Sequence, residues 1–209
     1  MMLNIAHHTM TRTAPYLHLL AFFLAVFLSS PRSTQAIGNF SDPLPSFAAF
    51  SQAVQNGEAN VLRGVYVPEV LALPVIPQPP NQPYFVSNRQ GVATQFSMAS
   101  QQGNIGLLAH NTLSGKLFSD LSVGQQVRLV YGDESTETFV VAYIMRFQAS
   151  RPDSVSSSFR NLDRNETLSA SEMFSRAYGG ERRLVFQTCI EANGKASWGR
   201  LFVVALPSE

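Results

Sequence analysis

Two runs with a period of two, Gln126–Val130 and Thr138–Ile144, constrain this chain more than any other feature. Successive side chains of a strand point to opposite faces, so alternation of this kind gives a half-buried β-strand. The runs are joined by Tyr-Gly-Asp-Glu-Ser, with Gly132 in the connection, and together they predict a β-hairpin. Val61–Val70, Tyr84–Ser87, Gly106–His110, Arg183–Thr188 and Arg200–Leu206 read as further short strands. Leu73–Pro83 carries prolines at 74, 77, 79, 80 and 83, each without an N–H. It is therefore expected to be an extended connector or edge segment, neither helix nor central strand. Helices are few and short. Pro45–Val54 reads as one, Lys116–Leu121 as a single turn with Leu117, Phe118 and Leu121 inward, and Ala170–Tyr178 as a helix stopped by Gly179-Gly180. Ser150–Gly180 is a polar, serine-rich insertion between strands, of a length that is usually functional or disordered. Many short strands with few helices point to an all-β barrel or sandwich, and no internal repeat is present.

The chain opens like a targeting segment. Leu17–Leu28 is apolar except for His18, Arg12 precedes it, and Thr34 and Ala36 supply small residues at signal-peptidase spacing. Residues 1–36 are read as a signal peptide or N-terminal membrane anchor, 37–60 as a spacer and capping segment, and 61–209 as one domain. The domain is then exported, either extracellular or on the outer face of the cell membrane. With 45% hydrophobic and 14% charged residues, the chain can bury a full core. A net charge of +1 gives no footprint for nucleic acid and no polybasic membrane surface.

Cys189 is the sole cysteine, so an internal disulfide is excluded. An unpaired cysteine in an exported chain is a buried, inert side chain, half of an intermolecular bridge, or a reactive thiol. Its surroundings favour chemistry. One apolar run ends in Thr188-Cys189, the next begins with Arg200, and Gly106-Leu-Leu-Ala-His110 ends on a titratable group. The other histidines, His7, His8 and His18, lie in the leader. A thiolate is the nucleophilic form, and a neighbouring cation favours it. An imidazole titrates near neutral pH and can pass a proton to a leaving amine. A guanidinium is a permanent cation whose fork of donors can stabilise charge developing on a carbonyl oxygen. Taken singly, each residue has an ordinary explanation: a polar strand end for His110, a surface charge for Arg200, packing for Trp198.

Taken together, these segments resemble the sortases, the cysteine transpeptidases of bacterial cell surfaces. The resemblance runs from about Val61 to Leu206. It rests on Gly106-Leu-Leu-Ala-His110, on Leu117-Phe-Ser-Asp-Leu leading into Val127-Arg-Leu-Val130, on Val185-Phe-Gln-Thr-Cys189, and on Arg200-Leu-Phe-Val-Val-Ala205. It implies a closed eight-stranded β-barrel with the site at one end and a long loop before the penultimate strand. It further implies that Cys189 attacks a sorting-motif peptide bond to give a thioacyl enzyme. His110 would protonate the leaving amine and activate the incoming one, Arg200 would hold substrate and oxyanion, and Thr188 would line the substrate. The partners implied are a sorting-motif peptide and an amine acceptor at the cell surface. Ser150–Gly180 falls where sortases place a substrate-recognition loop. Ala109 before the histidine and Gln187 before Thr-Cys depart from the family pattern, in which glycine and an apolar residue are usual.

The alternatives are a secreted sortase-fold thiol hydrolase and a non-catalytic peptide-binding surface domain. The Gln-Thr-Cys sequence lacks the glycine of caspase-like peptidases, and Arg200 is too far from Cys189 for an L,D-transpeptidase pattern. No cofactor is expected, since phosphate loops and zinc spacings are absent. Asp163-Arg-Asn-Glu-Thr167 opens like a calcium loop but has Leu168 and Phe174 where glycine and an acid belong, leaving at most a weak calcium site.

Overall fold

The alternating runs form the expected hairpin. In a computed structural model that describes residues 43–154 and 156–208, they become β5 (Gln126–Tyr131) and β6 (Thr136–Ala149). They pair from Gln126↔Val140 to Val130↔Thr136. Phe139 and Val141 point inward and are buried, while Thr138 and Val140, which alternate with them, are half-exposed. The segment read as a leader, 1–36, lies outside the described residues.

The remaining elements are α1 (Phe47–Val54), β1 (Leu62–Val67), β2 (Leu71–Pro77), β3 (Ala93–Gln95), α2 (Ser97–Ser100) and β4 (Ile105–Leu108). A 3₁₀ turn (Ser114–Asp120) precedes β5. After β6 come β7 (Phe159–Asn161), β8 (Thr167–Leu168), α3 (Ala170–Tyr178), β9 (Leu184–Ala192) and β10 (Lys195–Pro207). The strands hydrogen-bond in the order β10-β9-β4-β3-β2-β1-β5-β6, and β6 pairs again with β10. That second pairing closes an eight-stranded barrel and removes the free edges of the sheet. β6 is long enough to serve three partners: β5 and then β7 along one edge, β10 along the other.

The proline-rich segment corrects the sequence reading. Leu71–Pro77 is a strand within the wall, paired with β1 over Leu71–Pro74 and with β3 over Val75–Pro77. The two pairings are staggered, so each proline has a ladder on one side only. Pro74 lies where β3 has not begun, and Pro77 where β1 has ended. The missing N–H groups are thereby placed where no partner needs them. Tyr84–Ser87 is not a strand either. Tyr84 is 81% exposed, and the carbonyls of Pro83 and Phe85 accept from the side chain of Gln78 instead of a neighbouring strand.

Strand parity separates two of the three buried clusters among the described residues. Inside the barrel, Leu184, Phe186, Leu201, Val203 and Ala205 meet Val65, Leu107, Phe118, Leu129 and Phe139. On its outer wall, Val185, Phe202 and Val204 pack with Phe147, Phe159, Met173, Ala177 and Tyr178. The 150–180 insertion is therefore an ordered cover with a core of its own. Its helix α3 starts in a capping box, with Ser169 and Glu172 bonding each other's backbone N–H. Met173 and Ala177, four residues apart, turn the helix's apolar face to the wall.

Candidate functional site

Cys189 and Arg200 are direct cross-strand partners in the β9–β10 ladder. Neither stands at a strand end, contrary to the sequence expectation. β9 continues past the thiol to Ala192, and β10 begins at Lys195. The loop read between them is mostly strand, reversed by Asn193-Gly194, both at positive φ (53° and 72°). An Asn-Gly pair of this conformation matches the natural twist of a hairpin. The register then slips between Lys195 and Gly199, so β10 bulges over 196–198 just before Arg200.

His110 reaches the same level by a different route. β4 runs parallel to β9 with Leu107↔Phe186 and Leu108↔Gln187. Continued for two residues, this register sets Ala109 beside Thr188 and His110 beside Cys189. Two hydrogen bonds carry the register as far as Ala109. The Ala109 N–H donates to the Gln187 carbonyl (3.3 Å), and the Thr188 hydroxyl donates to the Ala109 carbonyl (2.9 Å). The His110 carbonyl accepts from both Leu113 and Gly115 N–H, each at 2.9 Å. Glycine is required at 115, because a Cβ there would lie 2.3 Å from Thr188 Oγ1 and 2.6 Å from the Ala109 carbonyl oxygen. Thr188 itself is 3% exposed, its hydroxyl committed to the end of β4.

Alternation places the Cys189 and Arg200 side chains on the outer wall, in line with Val185 and Phe202 of the second core. Both are half-buried. Cys189 and Arg200 thus face outward from the wall, two residues beyond the last β4–β9 pair, Leu108↔Gln187. The Arg200 guanidinium donates to the Ser197 and Gly199 carbonyls (3.0 and 2.8 Å) and lies 5.9 Å from the centre of the Phe159 ring, on the insertion. Two side chains pin the bulge before it: Asn111 donates to the Ala196 carbonyl (3.0 Å), and Ser197 donates to Asp153 (3.1 Å). The first ties the bulge to the histidine loop, the second to the insertion.

Sequence reasoning missed the pair formed by Tyr178 and Gln187, whose hydroxyl-to-amide bond is 2.6 Å. Parity from Cys189 was signal enough, since residue 187 must share its face. The acidic segment Asp163–Thr167 has its carboxylates engaged by guanidinium groups, Asp163 by Arg146 and Glu166 by Arg176. Hydrogen bonds from Asn161 and Arg176 hold the Glu166 carboxyl below the usual range. A groove of about 770 Å³ is lined by Ile144, Ile190 and Leu201 together with Arg146, Asp163 and Arg176. No helix among the described residues is long and apolar enough to cross a membrane.

No family model matches the chain, and no curated protein matches it. Solved structures similar to it are sortases of several subclasses, A, C, D and E among them. Sortase A of Listeria monocytogenes is 14% identical over 71% of this chain and 88% of its own, with a TM-score of 0.45. Sortase C-1 of Actinomyces oris is 10% identical over 79% of this chain and 82% of its own, with a TM-score of 0.49. Sortase E1 of Streptomyces coelicolor, solved with a tripeptide in the active site, is 17% identical over 71% of this chain and 88% of its own, with a TM-score of 0.45. The eight-stranded barrel of this chain closes through the strand pairings described above.

Proposed function

We propose that this protein is a cysteine acyltransferase acting on peptides, a transpeptidase of the sortase type. The observation that carries the reading is the direct pairing of Cys189 with Arg200, with His110 two residues past the end of β4, whose last pair is Leu108↔Gln187. In the first step Cys189 Sγ attacks a peptide carbonyl carbon and a C–S bond forms. The C–N bond breaks, and His110 supplies the proton with which the amine leaves. In the second step an incoming amine gives its proton to His110 and attacks the thioester carbon. The C–S bond breaks and the thiol is restored, with no net oxidation or reduction. Arg200 is the permanent cation opposite the sulfur. Its fork suits both the thiolate and the oxygen that becomes negative in each tetrahedral state.

Arg200 is held by carbonyls of its own bulge, so its position is set before substrate arrives. Such preorganisation is what makes an oxyanion donor effective. Thr188 serves by fixing the histidine strand against the cysteine strand. The outward-facing thiol, bordered by the insertion, suits an extended peptide laid along the wall rather than a small molecule in an enclosed cavity.

The test is product analysis with a quenched-fluorophore peptide pool, with and without hydroxylamine as the amine. A Cys189-dependent peptide hydroxamate supports transfer. Cleavage that yields only the free acid, even with hydroxylamine present, establishes a hydrolase instead. Binding without cleavage establishes a peptide-binding domain.

A further inference from the structure

A polar side chain stands where the strand pairing calls for an apolar one. The outer face of β9 reads Val185, Gln187, Cys189, and Gln187 pairs with Leu108 on β4 and Phe202 on β10. Both neighbours are buried, at 7% and 1% exposure. The Gln187 oxygen accepts from the Tyr178 hydroxyl, and Tyr178 is 1% exposed. Gln187 Nε2 has no hydrogen-bond partner among the described residues, and the side chain remains half-exposed. An amide between apolar neighbours destabilises a fold unless its groups are bonded. Satisfying the tyrosine requires only the oxygen, so the remaining N–H groups face solvent and are open to a ligand.

Their location says what that is. Residues 187 and 189 are successive on one face, about 7 Å apart, which is the reach of two residues of extended peptide. Gln187 thus lies in the floor on which a peptide attached to Cys189 must rest. Its amide is aimed by Tyr178, the last residue of the insertion's helix.

We propose that Gln187 is a specificity-determining residue of the thiol site. Its amide donates to an acceptor side chain carried about two residues from the carbonyl that Cys189 attacks. Tyr178 is the positioning residue, which fixes the amide's orientation and so links the insertion to substrate choice. The inference rests on the thioacyl reading above.

The experiment is a position-scanned peptide pool, with acylation of Cys189 followed in wild type, Gln187→Leu, Tyr178→Phe and the double variant. At the position two residues from the scissile carbonyl, wild type should favour Asn, Gln, Ser or Thr over Leu by about tenfold. Gln187→Leu should reverse that order, and Tyr178→Phe should flatten it. The double variant removes both polar partners together, a change that is often nearly neutral for stability. It carries the test, with thermal unfolding as the check on its fold, should Gln187→Leu alone not fold. Acylation in the double variant with wild-type preference at that position would overturn the inference and leave the thioacyl reading standing. Failure of every peptide to acylate wild type would overturn both.

Discussion

Arg200 lies directly across the β9–β10 ladder from Cys189, and its guanidinium is braced on the Ser197 and Gly199 carbonyls. A permanent cation is thus built into the strand beside the thiol rather than brought by a mobile loop. Replacing Arg200 with Ala should reduce peptide acylation by about 10²–10³-fold, the usual loss on removing one oxyanion donor. Lys should restore little, because an ammonium lacks the planar fork. Single-turnover kinetics on Arg200→Ala and Arg200→Lys would check both.

Thr188 joins the cysteine and histidine strands through a buried hydroxyl. Thr188→Val keeps the shape and deletes the bond, leaving the Ala109 carbonyl short of a donor. The expected cost is about 1–3 kcal/mol in urea unfolding, with slower acylation as His110 loses its fixed level. Thr188→Ser should recover most of both.

Gly115→Ala forces a methyl against Thr188 Oγ1 and the Ala109 carbonyl. Because backbone has to move, the expected destabilisation is about 1–3 kcal/mol. Loss of acylation should exceed what the unfolded fraction explains, as judged by comparing activity with the denaturation midpoint.

The strands that carry or precede the candidate residues are legible in the amino-acid sequence alone. The strand carrying Thr-Cys, the strand bearing Arg200 and the run ending at His110 are strongly apolar, and burial fixes their register. The elements that leave no clear trace in the sequence are short or staggered. β3 has three residues, too few for a periodic signal. β2 reads as a connector because its prolines lack N–H groups, but those fall where only one neighbour pairs. The strands around Cys189 extend further than their apolar stretches. Their outer residues, from Glu191 to Ser197, are largely polar, and the Asn193-Gly194 turn is hidden among them.

The insertion's helix should depend on its capping box. Ser169→Ala removes the N-cap bond to Glu172 N–H, and about 1 kcal/mol of stability should go with it. Since α3 positions Tyr178, hydrogen exchange in 170–178 should quicken, while the barrel strands stay protected.

A pH effect is expected at Glu137, which holds Arg182 just before β9 and also accepts from Tyr131. Burial opposes its charge, but bonds from Arg182 and Tyr131 outweigh that and keep the carboxyl below its usual range. A depressed carboxyl stabilises the fold above its unfolded value, about 4.3, and that contribution disappears as the pH falls through the folded value. With the side chain 37% exposed, screening keeps the gain below about 1 kcal/mol. The stability difference between wild type and Glu137→Gln should be present at pH 7 and shrink steadily below about pH 4.

The most direct test of the central claim is peptide mapping of the intact protein after brief incubation with the peptide pool and acid quenching. The expected result is an acyl fragment on Cys189 as a thioester, released by hydroxylamine, absent in Cys189→Ala and much reduced in His110→Ala. A wild-type protein that cleaves peptides with no adduct at Cys189, or equally well as Cys189→Ala, would contradict it.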